Sequence, residues 1–161
     1  MTDVSAIPTT SIDPDVTTAV AQFLAPVVVD LQALAVDGKQ AHWHVRGANF
    51  QAVHELLDDV VDHAREYADT AAERIVALGL PVDARVQTVA AKTTTPALAE
   101  GFQQSESVIA QVIAQIDATL VTVRTAIDEL GEPDAASQDV AIEIARGLEK
   151  DRWFLFAHVA K

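Results

Sequence analysis

From Val16 to Val45 apolar residues recur every three or four positions, and the same spacing returns in three later segments separated by Gly, Pro and short polar runs. That period belongs to one face of an α-helix, not to the two-residue alternation of a half-buried strand. The spacing predicts an all-α protein. Its first helix stops at Gly47-Ala48-Asn49, read as helix stop, turn and N-cap. A second helix runs from about Phe50 to Leu78. Gly79, Pro81 and Thr93-Thr94-Thr95-Pro96 mark a long connection that holds a short helix around Ala84 to Ala91. A third helix spans roughly Phe102 to Leu130, Gly131-Glu132-Pro133-Asp134 interrupts it, and a fourth covers about Ser137 to Val159. Two short connections and one long one fit a four-helix bundle with a crossover. Residues 1–14, with Pro8, Pro14 and several Ser and Thr, read as a flexible or partner-dependent arm, leaving 15–159 as one domain.

Half of the 161 residues are apolar, enough for one substantial core. Twenty-four acidic residues against eleven basic ones give a formal charge of −13, which opposes binding to a phosphate backbone and concentrates cations near the surface. There is no cysteine, so any metal must take nitrogen and oxygen ligands. The first twenty-two residues hold no Lys or Arg and no long apolar run. The expectation is a cytoplasmic protein with neither secretory signal nor membrane anchor.

The second helix carries two stripes. Phe50, Val53, Leu57, Val60, Ala64, Ala68, Ala71, Ile75 and Leu78 form the apolar one; His54, Asp58, Asp62, Arg65, Asp69 and Glu73 form another, displaced by about 130° around the helix. His54 and Asp58 sit one turn apart, as do Asp69 and Glu73, so each pair can present two ligand atoms to one ion. Within one chain the pairs cannot share an ion, because eleven residues separate Asp58 from Asp69, a rise of roughly 16 Å. An antiparallel copy of the helix removes that distance. His54 with Glu73, and Asp58 with Asp69, share one midpoint between His63 and Ala64, so a two-fold axis there brings each residue to its counterpart on the partner. Asp62 and Arg65 share the same midpoint and are expected to form a reciprocal ion pair across the interface. His42 and His54 each lie six residues from Ala48 and are expected to face each other across the helical hairpin. The expected centre is His42, His54 and Asp58 from one subunit with Asp69 and Glu73 from the other. Two imidazoles and three carboxylates suit Fe(II), with Zn(II), Mn(II) and Co(II) as competitors. Taken singly, each acid reads as a solvated charge; the spacing and symmetry of the set favour a metal site.

Lys39-Gln40-Ala41-His42-Trp43, Arg46-Gly47-Ala48-Asn49-Phe50, Val53-His54-Glu55, Leu57-Asp58, Asp69 and Ala72-Glu73-Arg74 resemble the Dps family, the ferritin-like miniferritins named as DNA-binding proteins from starved cells. Leu148-Glu149-Lys150 with Trp153-Phe154 and the four-helix layout extend the likeness beyond Lys39 to Gly79. The resemblance implies a ferritin-like four-helix bundle that assembles as a hollow dodecamer, oxidises Fe(II) with hydrogen peroxide between two-fold-related subunits, and stores ferric mineral. It places the five ligands as the symmetry does. It also implies a redox role for Trp43, where packing is the alternative, and an acidic pore at Asp134, Asp139 and Glu143. Lys39 reads equally as a charge supporting the ligands and as a solvated lysine, and Glu55 as a site of mineral nucleation where it faces the cavity. The alternative for the pore acids is a helix start enriched in carboxylates.

Two departures from the family pattern matter. The N-terminal arm has Asp3, Asp13 and Asp15 but no basic residue, so the charge argues against direct DNA binding at neutral pH, and nucleoid association would require such binding. His44 stands where the family commonly has Asn and reads as a hydrogen-bonding turn residue, an extra ligand or a proton carrier, with the first preferred. His63 falls on the bundle side and is given no metal role. Competing functions are metal-dependent hydrolysis of acyl amides at the same interface, and a metal-binding shell without turnover.

Overall fold

The computed structural model describes residues 8–160, so residues 1–7 of the expected arm, with Asp3, and Lys161 lie outside the described residues. Five helices and two very short strands follow in order: α1 (Pro14–His44), β1 (Val45–Arg46), α2 (Phe50–Ala77), α3 (Val86–Lys92), β2 (Gln103–Gln104), α4 (Ser105–Leu130) and α5 (Ala135–Ala157). The four long helices are those expected and α3 is the crossover helix.

Helix α1 starts at Pro14, inside the expected arm, because Asp13 accepts a hydrogen bond from Asp15 N at 2.8 Å and proline suits the first helical position. By length and composition α1 and α4 could cross a membrane, yet their apolar residues pack into the shared core with α2 and α5. On α2 the apolar stripe is buried as expected, with one correction: Phe50 is 45% exposed. It sits in the first turn, beyond the end of the bundle core, with its ring 5.2 Å from that of His54.

Asn49 is the N-cap residue of α2, as expected, but its side chain makes no cap hydrogen bond; it adopts a left-handed conformation at φ 57°, which asparagine tolerates better than most residues. Gly47 takes φ +96° beside it, and a Cβ there would meet the Gln104 side chain. That close approach serves an element no periodicity announced, a parallel pairing of Val45 with Gln103 and Arg46 with Gln104. Ser105 Oγ adds a hydrogen bond to Ala48 O at 2.7 Å. The end of the crossover is thereby tied to the turn between α1 and α2.

The middle of the crossover is held by Asp30, only 1% exposed within α1. Its carboxylate accepts from Thr93 Oγ1 at 3.0 Å and from Thr94 N, Thr94 Oγ1 and Thr122 Oγ1, each at 2.7 Å. A buried carboxylate is tolerated only when so satisfied. Helices α2 and α5 meet through His63 and Asp151, and through Tyr67, whose hydroxyl covers Gly147 so closely that a Cβ there would lie 1.9 Å away.

Candidate metal centre

The α1–α2 hairpin brings His42 and His54 together, as their equal distance from Ala48 requires. Their rings stack at 3.5 Å between centroids with 22° between planes. His42 Nδ1 lies 2.7 Å from His54 O, and His54 Nδ1 lies 2.9 Å from His42 O. A carbonyl oxygen only accepts, so each Nδ1 carries the proton and donates. In the neutral ring this leaves Nε2 with the free lone pair on both imidazoles, the tautomer that binds a metal. The backbone of one helix orients the ligand of the other.

Asp58 completes this half of the site. Its Oδ1 is 3.4 Å from His42 Nδ1 and is ion-paired with Lys39, so Lys39 touches a proposed ligand carboxylate directly. The Lys39 hydrogen bond holds the Asp58 carboxyl below its ordinary value against the opposing effect of desolvation, with the imidazoles assisting. Asp58 is thus disposed to remain an anion. Asp69 and Glu73 are exposed, one turn apart on the same face of α2, and neither has an ion-pair or side-chain hydrogen-bond partner among the described residues. His42, at the hairpin end, is buried, while His54 and Asp58 are partly exposed. Among the described residues of a single chain, no group of three or more His, Asp or Glu side chains converges on one point.

The other expected residues fall into different settings. Asp62 and Arg65 pair within the chain, Oδ1 to Nη1 at 3.7 Å, on the exposed side of α2. Trp43 is 62% exposed, so packing inside its own chain does not account for it. Glu55 is exposed and accepts from Gln51 Nε2 at 2.9 Å. His44 caps the end of α1 through Nδ1 to Gln40 O at 3.0 Å, consistent with its preferred hydrogen-bonding role.

Asp139 and Glu143 are exposed one turn apart on α5, but Asp134 has structural work of its own. It caps α5 by accepting from Ser137 N at 3.2 Å and pairs with Arg74 Nη2 at 2.7 Å. Desolvation would raise its carboxyl; the Ser137 and Arg74 hydrogen bonds outweigh that and hold it below its ordinary value. A depressed carboxyl stabilises the fold fully above its unfolded value, and the contribution disappears as pH falls through the folded value. Asp134→Ala is expected to lower stability by about 1–2 kcal/mol at neutral pH, while Asp134→Asn, which can still cap, loses less. Urea unfolding of both variants, repeated toward low pH, checks this: the gap between wild type and Asp134→Ala should narrow only in acid.

The Ferritin-like domain model matches residues 23–161. The "DNA protection during starvation protein" of Agrobacterium fabrum is 35% identical over 127 residues, 78% of each chain. The structure of Dps from Microbacterium arborescens in the high iron form superposes with a TM-score of 0.90 at 63% identity, covering 92% of this chain and 97% of that one.

The chain belongs to the Dps family of ferritin-like proteins.

Dps relatives do not all carry one role in their names: the "Fine tangled pili major subunit" of Haemophilus ducreyi is 33% identical over 149 residues, 87% of this chain and 74% of that one. Family membership therefore fixes the Dps fold of this chain, while its chemistry must be argued from its own residues. The His63–Asp151 pair, at 2.9 Å, is the feature the sequence reading missed. The available signal was an acid in core register: Asp151 lies three residues after Leu148 and four before Leu155, both buried.

Proposed function

We propose that this Dps chain is an iron-storing ferroxidase of the cytoplasm, which oxidises Fe(II) with hydrogen peroxide between two-fold-related subunits and keeps the ferric product inside a hollow dodecameric shell. The observation that carries this reading is the reciprocal fixing of His42 and His54 through their Nδ1 atoms, which leaves both Nε2 atoms free, with the Asp58 carboxylate 3.4 Å from His42 Nδ1 on the stripe that continues to Asp69 and Glu73. A partner helix, antiparallel about the point between His63 and Ala64, supplies the missing carboxylates. Asp62 and Arg65 of the two helices then form one compensated four-charge group at the axis, which sets register more than it adds stability.

Iron is the substrate. Each H2O2 takes two electrons, one from each of two Fe(II) ions, and its O–O bond breaks to give two oxygens at the level of water, so no hydroxyl radical is released when both electrons arrive together. The residues have separable parts in this. Imidazole Nε2 atoms bind Fe(II) without adding charge. The carboxylates stabilise the higher charge of Fe(III) and so favour loss of the electron. Lys39 neutralises Asp58 until a cation displaces the ammonium. Exposed Trp43, next to His42, is placed to absorb a stray oxidising equivalent; Glu55 offers a carboxylate for early mineral. Asp139 and Glu143 draw cations inward, with Asp134 contributing only the oxygen that capping leaves free. Protection of DNA follows from removing Fe(II) and peroxide, without contact between this acidic chain and phosphate.

Metal-free protein, given Fe(II) anaerobically and then peroxide, is expected to produce ferric absorbance faster than buffer and with a lower yield of trapped hydroxyl radical. A rate equal to buffer from fully assembled protein would sink the ferroxidase reading and leave a shell that binds metal without turnover.

A further inference from the structure

A second imidazole on α2 is set up as a ligand, away from the interfacial stripe. His63 Nδ1 lies 2.9 and 3.1 Å from the two oxygens of Asp151, a residue of α5 only 3% exposed. A carboxylate accepts, so Nδ1 donates, and the buried acid fixes both the plane and the tautomer of the ring. In the neutral ring Nε2 keeps its lone pair, and it has no hydrogen-bond partner among the described residues, on a side chain that is 40% exposed. Asp59 stands one turn earlier on the same helix, exposed and without a partner among the described residues. Residues four apart share one helix face, so Asp59 and His63 can both reach one ion; the His63 ring also lies 6.1 Å from that of Tyr67, one turn later. Asp59 is close enough to oppose ionisation of Asp151, whose carboxyl is raised chiefly by burial and lowered again by His63.

We propose that Asp59 and His63 bind a divalent first-row transition cation, with Asp151 as the carboxylate that orients the imidazole. The pair repeats the spacing of His54 and Asp58 with the order reversed. The carboxylate–imidazole–metal relay is a common way of strengthening a single histidine ligand. Two protein ligands leave the remaining positions to water, in keeping with the absence of any three-residue cluster among the described residues. The ion held there is exchangeable, suited to cation in transit or to the start of a mineral, and the site does not depend on the interfacial centre. The competing account is a plain ion pair joining α2 to α5.

Calorimetric titration of Co(II) into assembled protein carrying His54→Ala, Asp69→Ala and Glu73→Ala, which removes the interfacial centre, separates the two. About one ion per chain is expected to bind. Adding His63→Gln or the surface change Asp59→Asn should weaken binding at least 10-fold, and Asp151→Asn by about 10–100-fold, with helicity and assembly unchanged for Asp59→Asn. Equal affinity with and without Asp59 and His63, or no Co(II) bound in this background, would overturn the site. Because iron oxidation by the unmodified protein is measured separately, that failure would leave the interfacial ferroxidase reading standing.

Discussion

Mixing two inactive variants is expected to restore peroxide-dependent iron oxidation to about a quarter of the wild-type level. His54→Ala removes a ligand from the imidazole half of the proposed centre, and Asp69→Ala with Glu73→Ala removes the acidic half. Each variant alone has two damaged sites per dimer and should oxidise iron no faster than buffer. In a mixed dimer one site collects every substitution and the other none. Random 1:1 reassembly makes half of the dimers mixed, each with one intact site of two, hence about a quarter of all sites. Unfolding and refolding the mixture, with mixed assembly verified by mass spectrometry, provides the measurement. A centre built within one chain would give no recovery at all, since neither variant chain is complete. Asp69 and Glu73 are exposed and unpaired among the described residues, so their removal should not disturb folding. His54 is a different matter because its Nδ1 fixes the backbone of His42; His54→Gln serves as a second version of that variant.

The two stripes of α2 are legible in the sequence because they rest on helical geometry alone. Spacing along α2 separates the core stripe from the ligand stripe, and Val53, Leu57, Val60 and Ala64 are buried while Asp69 and Glu73 are exposed. Equal arms about Ala48 likewise sufficed to bring His42 to His54. What the pattern could not supply were contacts that depend on how elements far apart in sequence meet. Phe50 fits the apolar phase but lies past the end of the core. Asn49 is the N-cap residue of α2, as its composition suggests, but it is left-handed and makes no side-chain cap hydrogen bond, because Gly47 and the short strand pairing set the local path. Asp30 and Asp151 occupy core positions in otherwise apolar runs, and an isolated acid there announces only that some partner must exist. Identifying Thr93, Thr94 and Thr122 for one, and His63 for the other, needed the packing of α1, α2, α4 and α5.

Asp30→Ala is expected to loosen the crossover with the largest stability effect of any single change outside the apolar core. The substitution removes the acceptor of four hydrogen bonds at once, from Thr93, Thr94 backbone and side chain, and Thr122. Hydrogen bonds to a charged group contribute more than neutral ones, about 1.5–3 kcal/mol each. The threonines are not fully buried and can turn to water, which brings the expected net loss to about 2–4 kcal/mol. Lys92 immediately precedes the anchored threonines, so trypsin reads this opening directly at the Lys92–Thr93 bond. When opening is fast relative to cleavage, that loss corresponds to about 30- to 700-fold faster cutting there. Thr122→Val, which removes one donor at similar volume, should accelerate cleavage by no more than about 10-fold. Unchanged cleavage of Asp30→Ala at Lys92 would show that the crossover is held by something other than this carboxylate. The consequence extends to the candidate centre, because the same crossover continues into β2 and Ser105, which hold the α1–α2 turn. If the two ends of the connection act as one mechanical unit, iron oxidation should fall in Asp30→Ala although no ligand has been touched. If only the middle loosens, cleavage rises and oxidation does not change.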